Sequence, residues 1–232
     1  MRLDKFLSNM GVGSRTEVKQ LLKQGAVTLN SQKEKSPKVQ INPDIDQIKV
    51  NGKSIAYIDK VYLMLNKPKG YISATRDDLH QTVIDLIDEY DYLDIFPVGR
   101  LDKDTEGLIL ITNDGEFNHQ LMSPTKHVPK TYEVFSEKTI TNDDIKLFKT
   151  GIELSEGLTK PAHLELGVKD KQSFVTISEG KYHQIKRMYH AIDNEVKELK
   201  RVRIGELSLE DDLIQGTYRH LTEQDFKKLG LK

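Results

Sequence analysis

The chain contains no cysteine, which excludes disulfide staples and thiolate metal ligation alike. No apolar run approaches the roughly 20 residues that cross a bilayer. Met1-Arg2-Leu3-Asp4-Lys5 has none of the apolar h-region of a signal peptide. There is no internal repeat, no low-complexity tract and no Walker-type phosphate loop. A metal centre has little to build on. His183 and His190 stand seven apart, which is not the i, i+4 spacing of a helical zinc site, and no third ligand accompanies them. These absences predict a cytoplasmic protein that works away from membranes. What is there is 232 residues, 37% hydrophobic and 31% charged, enough for one large or two modest domains.

The formal net charge of −1 conceals a segregation. Residues 1–40 carry a net +5 and residues 181–203 a net +4, whereas residues 77–116 carry −10. Two basic zones on a near-neutral chain point to local footprints for a polyanion. A mixed, solvated surface would show the same counts.

Leu3, Phe6, Leu7 and Met10 fall at helical spacing until Gly11-Val12-Gly13 interrupts them. Ser14-Arg15-Thr16-Glu17 is a capping box, and the helix it opens buries Val18, Leu21 and Leu22 and ends at Gly25. Arg15, Lys19 and Lys23 share one face of that helix, where long basic side chains can follow a phosphate backbone. A short strand at 26–29 and a hairpin at Asn51-Gly52 complete a unit ending near residue 59.

The pattern beyond it predicts strands at 61–65, 107–112, 130–135, 162–166, 174–178 and 195–204, with a turn at 66–70. Helices are expected after Thr82 and Asp114, over 142–149 and 181–192, and after Thr222. Strands and helices without a regular βαβ repeat give an α+β fold with a mainly antiparallel sheet and flanking helices.

The densest chemistry lies in Gly99-Arg100-Leu101-Asp102-Lys103-Asp104-Thr105-Glu106-Gly107. It sits between the Pro97-containing loop and Leu108-Ile109-Leu110-Ile111, which reads as a strand buried on both faces. A carboxylate at that junction is a candidate for chemistry. Three acids in one loop are more often solvated, and nothing marks one as the protonated partner that a paired-carboxylate hydrolase needs. In the helix at 181–192, Ile185, Met188, Tyr189 and Ile192 form a core stripe, with His183, Lys186, Arg187 and His190 opposite.

Arg2-Leu3-Asp4-Lys5-Phe6-Leu7, Ser14-Arg15-Thr16-Glu17-Val18 and Gly25-Ala26-Val27-Thr28-Leu29-Asn30 resemble the S4 RNA-binding domain. The resemblance makes residues 1–59 an S4-like domain, with Arg2, Lys5, Ser14, Arg15, Lys19 and Lys23 as candidate RNA contacts. Residues 60–232 resemble the pseudouridine synthases of the RsuA type, which act on small-subunit ribosomal RNA. Four motifs carry this in order: Asn66-Lys67-Pro68-Lys69-Gly70-Tyr71, the loop 99–107, Lys130-Thr131-Tyr132, and residues 179–188 from Glu179-Gly180-Lys181-Tyr182-His183 to Met188.

The resemblance implies an isomerase that turns one uridine of 16S ribosomal RNA, uridine 516 by family expectation, into pseudouridine. No atom is lost, so no cofactor or metal is implied. Asp102 takes the role of catalytic carboxylate. In an apolar pocket it needs a nearby cation to stay ionised, and the family supplies one at Lys186 or at its neighbour Arg187. Tyr132 resembles the aromatic platform for the flipped base, Arg100 the residue that fills the vacated space in the RNA, and Leu199 an apolar contact to the base. Lys67 and Pro68 are expected to shape a turn. The implied partner is 16S ribosomal RNA or an assembling small-subunit particle, met by a monomer. Two rivals remain: a large-subunit enzyme of the same family, and a non-catalytic S4-type RNA-binding or ribosome assembly factor.

Overall fold

In the computed structural model, which describes residues 1–123 and 125–231, the chain divides into two units. The first comprises Met1–Val61 together with Asp88–Ile95. Helix α1 (Leu3–Asn9) turns Leu3, Phe6 and Leu7 inward. Helix α2 (Arg15–Lys23) opens on the expected capping box. The Glu17 N–H donates to Ser14 Oγ (3.3 Å), and the Ser14 N–H donates to Glu17 Oε2 (2.7 Å). Val18 and Leu22 pack onto α1 residues, and Arg15, Lys19 and Lys23 stay exposed. Strands β1 (Val27–Leu29), β2 (Gln32–Lys33), β3 (Ile48–Val50) and β4 (Lys53–Ser54) form an antiparallel sheet in the order β2-β1-β3-β4. Asn51 (φ 51°) and Gly52 (φ 80°) make the β3–β4 turn, because a tight hairpin requires positive φ at both central positions. The segment Asp88–Ile95 is distant in sequence but belongs here. The Tyr92 ring lies against Gly11, where any Cβ would come within 2.6 Å of it.

The second unit comprises Tyr62–Ile87 and Phe96–Lys232. Its strands and helices run β5 (Tyr62–Lys67), β6 (Phe96–Val98), β7 (Glu106–Thr112), α3 (Gly115–Met122), β8 (Lys130–Ser136), α4 (Asn142–Thr150) and the β9–β10 hairpin (Glu153–Leu154, Gly157–Leu158). They continue with β11 (His163–Leu166), β12 (Gln172–Ile177), α5 (Gln184–His190), β13 (Val196–Ile204), β14 (Leu207–Ser208), β15 (Tyr218–His220) and α6 (Glu223–Lys228). The nine-stranded sheet runs β11-β12-β8-β13-β7-β5-β15, with β14 added to β13 and β6 to β7. Every pair is antiparallel except β13–β7. The fold is α+β on a mainly antiparallel sheet.

Strand β7 is the buried centre. Gly107 to Thr112 are inaccessible on both faces, with Leu108 and Leu110 packed against Phe117 and Leu121 of α3. The chain enters β7 from the loop 99–105, so the loop hangs from the most rigid strand of the sheet.

Several boundaries differ from the sequence pattern. Asn66 and Lys67 continue β5 instead of beginning a turn. Residues 83–86 form one 3-10 turn, closed by the Thr82 N–H donating to Asp85 Oδ2 (2.7 Å). Helix α5 starts at Gln184, since His183 adopts a left-handed conformation (φ 47°, ψ 34°). Pro97 is strand and not loop. It pairs only with β7, and an edge position tolerates its missing N–H.

Candidate active site

The loop 99–105 is held from below by a buried cation. Lys67, fully inaccessible, donates through Nζ to the carbonyls of Thr105 (2.7 Å), Asp102 (3.0 Å), Pro68 (3.2 Å) and Lys103 (3.4 Å). Burial pushes its amine down to about 8, against the pull of Asp104, Asp102 and Glu106. Ser73 adds a reciprocal pair, its Oγ donating to the Leu101 carbonyl (2.8 Å) and accepting from the Leu101 N–H (2.9 Å). The Gly70 N–H donates to the Lys103 carbonyl (2.8 Å). The motif 66–70 is therefore the mount of the acidic loop, a role its turn-like sequence did not disclose.

The two glycines bracketing the loop are needed for approach. Gly99 (φ 72°) would place a Cβ 2.5 Å from Met122 Sδ, and at Gly107 (φ 101°) a side chain would collide with the Arg201 carbonyl.

Asp102 projects from this mount, its side chain 31% exposed, into a cavity of about 900 Å³. Lys186 of α5 reaches it, with Nζ 3.2 Å from Asp102 Oδ2 and 2.6 Å from Asp104 Oδ1. His183 Nε2 stands 3.5 Å from Asp102 Oδ1. Burial works to raise the Asp104 carboxyl, but the Lys186 hydrogen bond and charge outweigh it and hold the group below the usual carboxylate range. On Lys186 burial is likewise outweighed, and the two aspartates hold its ammonium above the ordinary lysine value. The cation is thus firmly charged at neutral pH.

Arg187, the other candidate cation, turns away. It makes a bidentate pair with Glu156 of the β9–β10 hairpin and also donates to Ser155 Oγ (3.1 Å) and the Tyr182 carbonyl (3.1 Å). Its hydrogen bonds hold the Glu156 carboxyl down to about 2. Consecutive helical residues diverge by about 100°, so only one of Lys186 and Arg187 can face the loop.

Tyr132 on β8 and Leu199 on β13 line the same cavity and are almost fully buried (8% and 6% exposed). Arg100 is exposed at the cavity edge and makes no ion pair among the described residues, with Asp102 and Asp104 both facing Lys186. Tyr182, 76% exposed, stacks on His183 at 3.8 Å and extends the aromatic rim. Sequence reasoning placed His183 inside a helix, opposite its core stripe. The left-handed turn that swings it toward Asp102 has no local signature.

In the first unit, Arg2 is engaged with Asp4 through Nε (3.0 Å) and Nη2 (2.7 Å), and the Ser14 hydroxyl is occupied by its cap, donating to Glu17 Oε2 (2.7 Å). Lys5, Arg15, Lys19 and Lys23 are exposed and form no ion pair among the described residues. Those residues also hold no cluster of three metal-ligating side chains, and no helix long and apolar enough to cross a membrane.

Residues 61–191 match the model of the RNA pseudouridylate synthase family, and residues 1–44 match the S4 domain. A Bacillus subtilis protein described as an uncharacterized RNA pseudouridine synthase, YtzG, is 47% identical over 99% of this chain and 98% of its own length. The ribosomal small subunit pseudouridine synthase A of Escherichia coli K12 is 40% identical over 97% and 98%, and that of Yersinia pestis 41% identical over 99% and 98%. A crystal structure of a pseudouridylate synthase superposes with a TM-score of 0.70 at 37% identity, covering 99% of both chains. The chain is therefore an RNA-modifying isomerase: it belongs to the RNA pseudouridylate synthase family, in the RsuA-type branch that carries an N-terminal S4 domain.

Proposed function

We propose that this protein converts one uridine of small-subunit ribosomal RNA, uridine 516 of the 16S molecule, into pseudouridine, with Asp102 as the catalytic carboxylate. The observation that carries the reading is the placement of Asp102. A rigidly mounted carboxylate faces a cavity walled by Tyr132 and Leu199 and is paired with Lys186. The relatives described as small-subunit enzymes match over nearly their whole length, which supports the choice of RNA.

The reaction breaks the bond between uracil N1 and ribose C1′ and forms one between C5 and C1′. C5 loses a proton and N1 gains one, so no cofactor takes part. The target base leaves its stack at a cost of a few kcal/mol, and stacking on Tyr132 recovers about 1–3 kcal/mol. Lys186 supplies the counter-charge beside Asp102 in a partly dry site. The carboxylate then stands ready to attack or to shield positive charge on the sugar. Residues 1–59 serve as an RNA-docking domain and residues 60–232, apart from the segment Asp88–Ile95 that belongs to the first unit, as the catalytic domain of a cytoplasmic monomer. Arg100 fills the gap left by the flipped base. Arg187 supports the site from behind by tying α5 to the β9–β10 hairpin.

Carbodiimide mapping of ribosomal RNA from cells with and without the gene tests this. The expected result is one missing reverse-transcription stop in 16S RNA, restored by the wild-type gene and not by Asp102→Asn. A missing stop in 23S RNA transfers the reading to the large subunit. Restoration by Asp102→Asn overturns the catalytic assignment and favours an RNA-binding or assembly role.

A further inference from the structure

Two polar side chains on the cavity floor are buried without a hydrogen-bond partner: Arg201 at Nη2 (residue 1% exposed) and Thr105 at Oγ1 (1% exposed). Orphaned polar atoms are rare in protein interiors, because each is costly unless something outside the protein satisfies it. Here two occur together. The register pairs Arg201 of β13 with Gly107 of β7, so Arg201 shares a sheet face with Thr105, two residues before Gly107. Leu199, two residues before Arg201, lies on that face, and Tyr132 is the direct cross-strand neighbour of Arg201 on β8. All four side chains line the cavity into which Asp102 projects.

The guanidinium is held in place. Arg201 Nε donates to the Leu108 carbonyl (2.7 Å), and the missing side chain at Gly107 leaves room for the close backbone approach of the two strands. What it lacks is a counter-ion. Neither Arg201 nor the neighbouring Lys130 makes an ion pair among the described residues, although the two cations are close enough for Arg201 to help push the Lys130 amine down. A floor with a buried cation, a half-buried one beside it and two unsatisfied polar atoms suits a planar ligand that presents oxygen acceptors and gains negative charge.

Resting on the function proposed above, we infer that Arg201, with the Thr105 hydroxyl, receives the carbonyl edge of the flipped uracil and stabilises the charge that the ring acquires as its bond to ribose breaks. When N1–C1′ cleaves, the electron pair stays on the ring and spreads onto its carbonyl oxygens. The guanidinium N–H donates to one of them. When C5 bonds to C1′ and its proton leaves, the ring becomes neutral again with a proton on N1. Arg201 acts on the base, whereas Lys186 acts on the carboxylate, so the two cations serve opposite ends of the bond being broken.

Arg201→Met, Arg201→Lys and Thr105→Val test this with two readouts. The first is tritium release from a 16S RNA transcript labelled at uridine C5, resolved into kcat and KM, with thermal midpoints measured alongside. Arg201→Met should lower kcat about 10²–10³-fold, as loss of one aimed donor does elsewhere, with KM within about threefold. Arg201→Lys should recover part of that loss, and Thr105→Val should lower kcat about tenfold without changing the thermal midpoint. The second readout is the ¹⁹F line broadening of 5-fluorouridine 5′-monophosphate on the wild-type protein, which should be lost in Arg201→Met. If Arg201→Met does not fold, Arg201→Lys and Thr105→Val decide, and wild-type values in both overturn the inference. A folded Arg201→Met with kcat near wild type and unchanged broadening also overturns it. Wild-type protein that turns over no ribosomal RNA overturns the function proposed above, while the broadening comparison still judges Arg201.

Discussion

Helices α2 and α5 are both basic in sequence, and the molecule uses their charge in different ways. On α2, Arg15, Lys19 and Lys23 stand exposed without an ion pair among the described residues. On α5, Lys186 is shared between Asp102 and Asp104, and Arg187 is bound to Glu156. Unmatched exposed charge draws counter-ions, which a polyanion displaces on binding. Matched, partly buried charge is fixed in direction and sets the state of its partner. A run of basic residues is therefore left open to a polyanion in one helix and committed to acidic partners in the other. The difference is made by which acids the tertiary fold brings near.

Neutralising the two α5 cations one at a time separates their roles. Lys186→Met leaves Asp102 without its cation and should cost about 10²–10³-fold in kcat, with RNA affinity nearly unchanged. Arg187→Met should stay within about tenfold in kcat and appear instead as a lower thermal midpoint, because it loses only the tie to the β9–β10 hairpin. Steady-state kinetics on the same transcript read both. Equal losses would mean that the α5 cations act as one diffuse field, not as two directed contacts.

Much of the frame was legible in the sequence. Helix caps at Ser14 and Thr222, the Asn51-Gly52 turn and the doubly buried strand after Gly107 depend on neighbours in sequence, and all formed. Asp102 was legible as a candidate because its loop sits between two glycines beside that strand. Lys67 was not. Its sequence, Asn66-Lys67-Pro68-Lys69-Gly70, reads as a turn, and its role exists only because the loop 102–105 folds back over it from 35 residues away. Arg201 was missed for a different reason. In Leu199-Lys200-Arg201-Val202-Arg203 it counts as one more basic residue, yet the two-residue period of a strand puts it on the face of Leu199. The segment Asp88–Ile95 was assigned by sequence continuity to the second unit, and only the approach of Tyr92 to Gly11 reveals its place.

The exposed helix is tested by charge alone. Replacing Arg15, Lys19 and Lys23 together with glutamine should weaken RNA binding about 10- to 100-fold at low salt and reduce the slope of log K against log salt by about three. KM should rise while kcat holds. A fall in kcat with an unchanged salt slope would place these residues in the chemistry and erase the contrast with α5.

A half-buried cation without a carboxylate forms a third class, and pH measures it. Burial, reinforced by Arg201, pushes the Lys130 amine down to about 8, whereas in the unfolded chain a lysine titrates near 10.4. Between these values the unfolded chain holds the extra proton, so raising the pH from about 8 toward 10 favours the folded state through this group. The full shift corresponds to about 3 kcal/mol, and the partial accessibility of Lys130 reduces the expected gain to about 1–2 kcal/mol. Lys130→Met removes the ionisable group and should flatten the rise by that amount in urea unfolding at fixed ionic strength. The catalytic consequence runs the other way. Above pH 8 the cavity floor loses one of its two positive charges, so kcat should fall as stability climbs. If kcat holds through pH 9 in the wild type, Arg201 supplies the charge at the cavity floor alone.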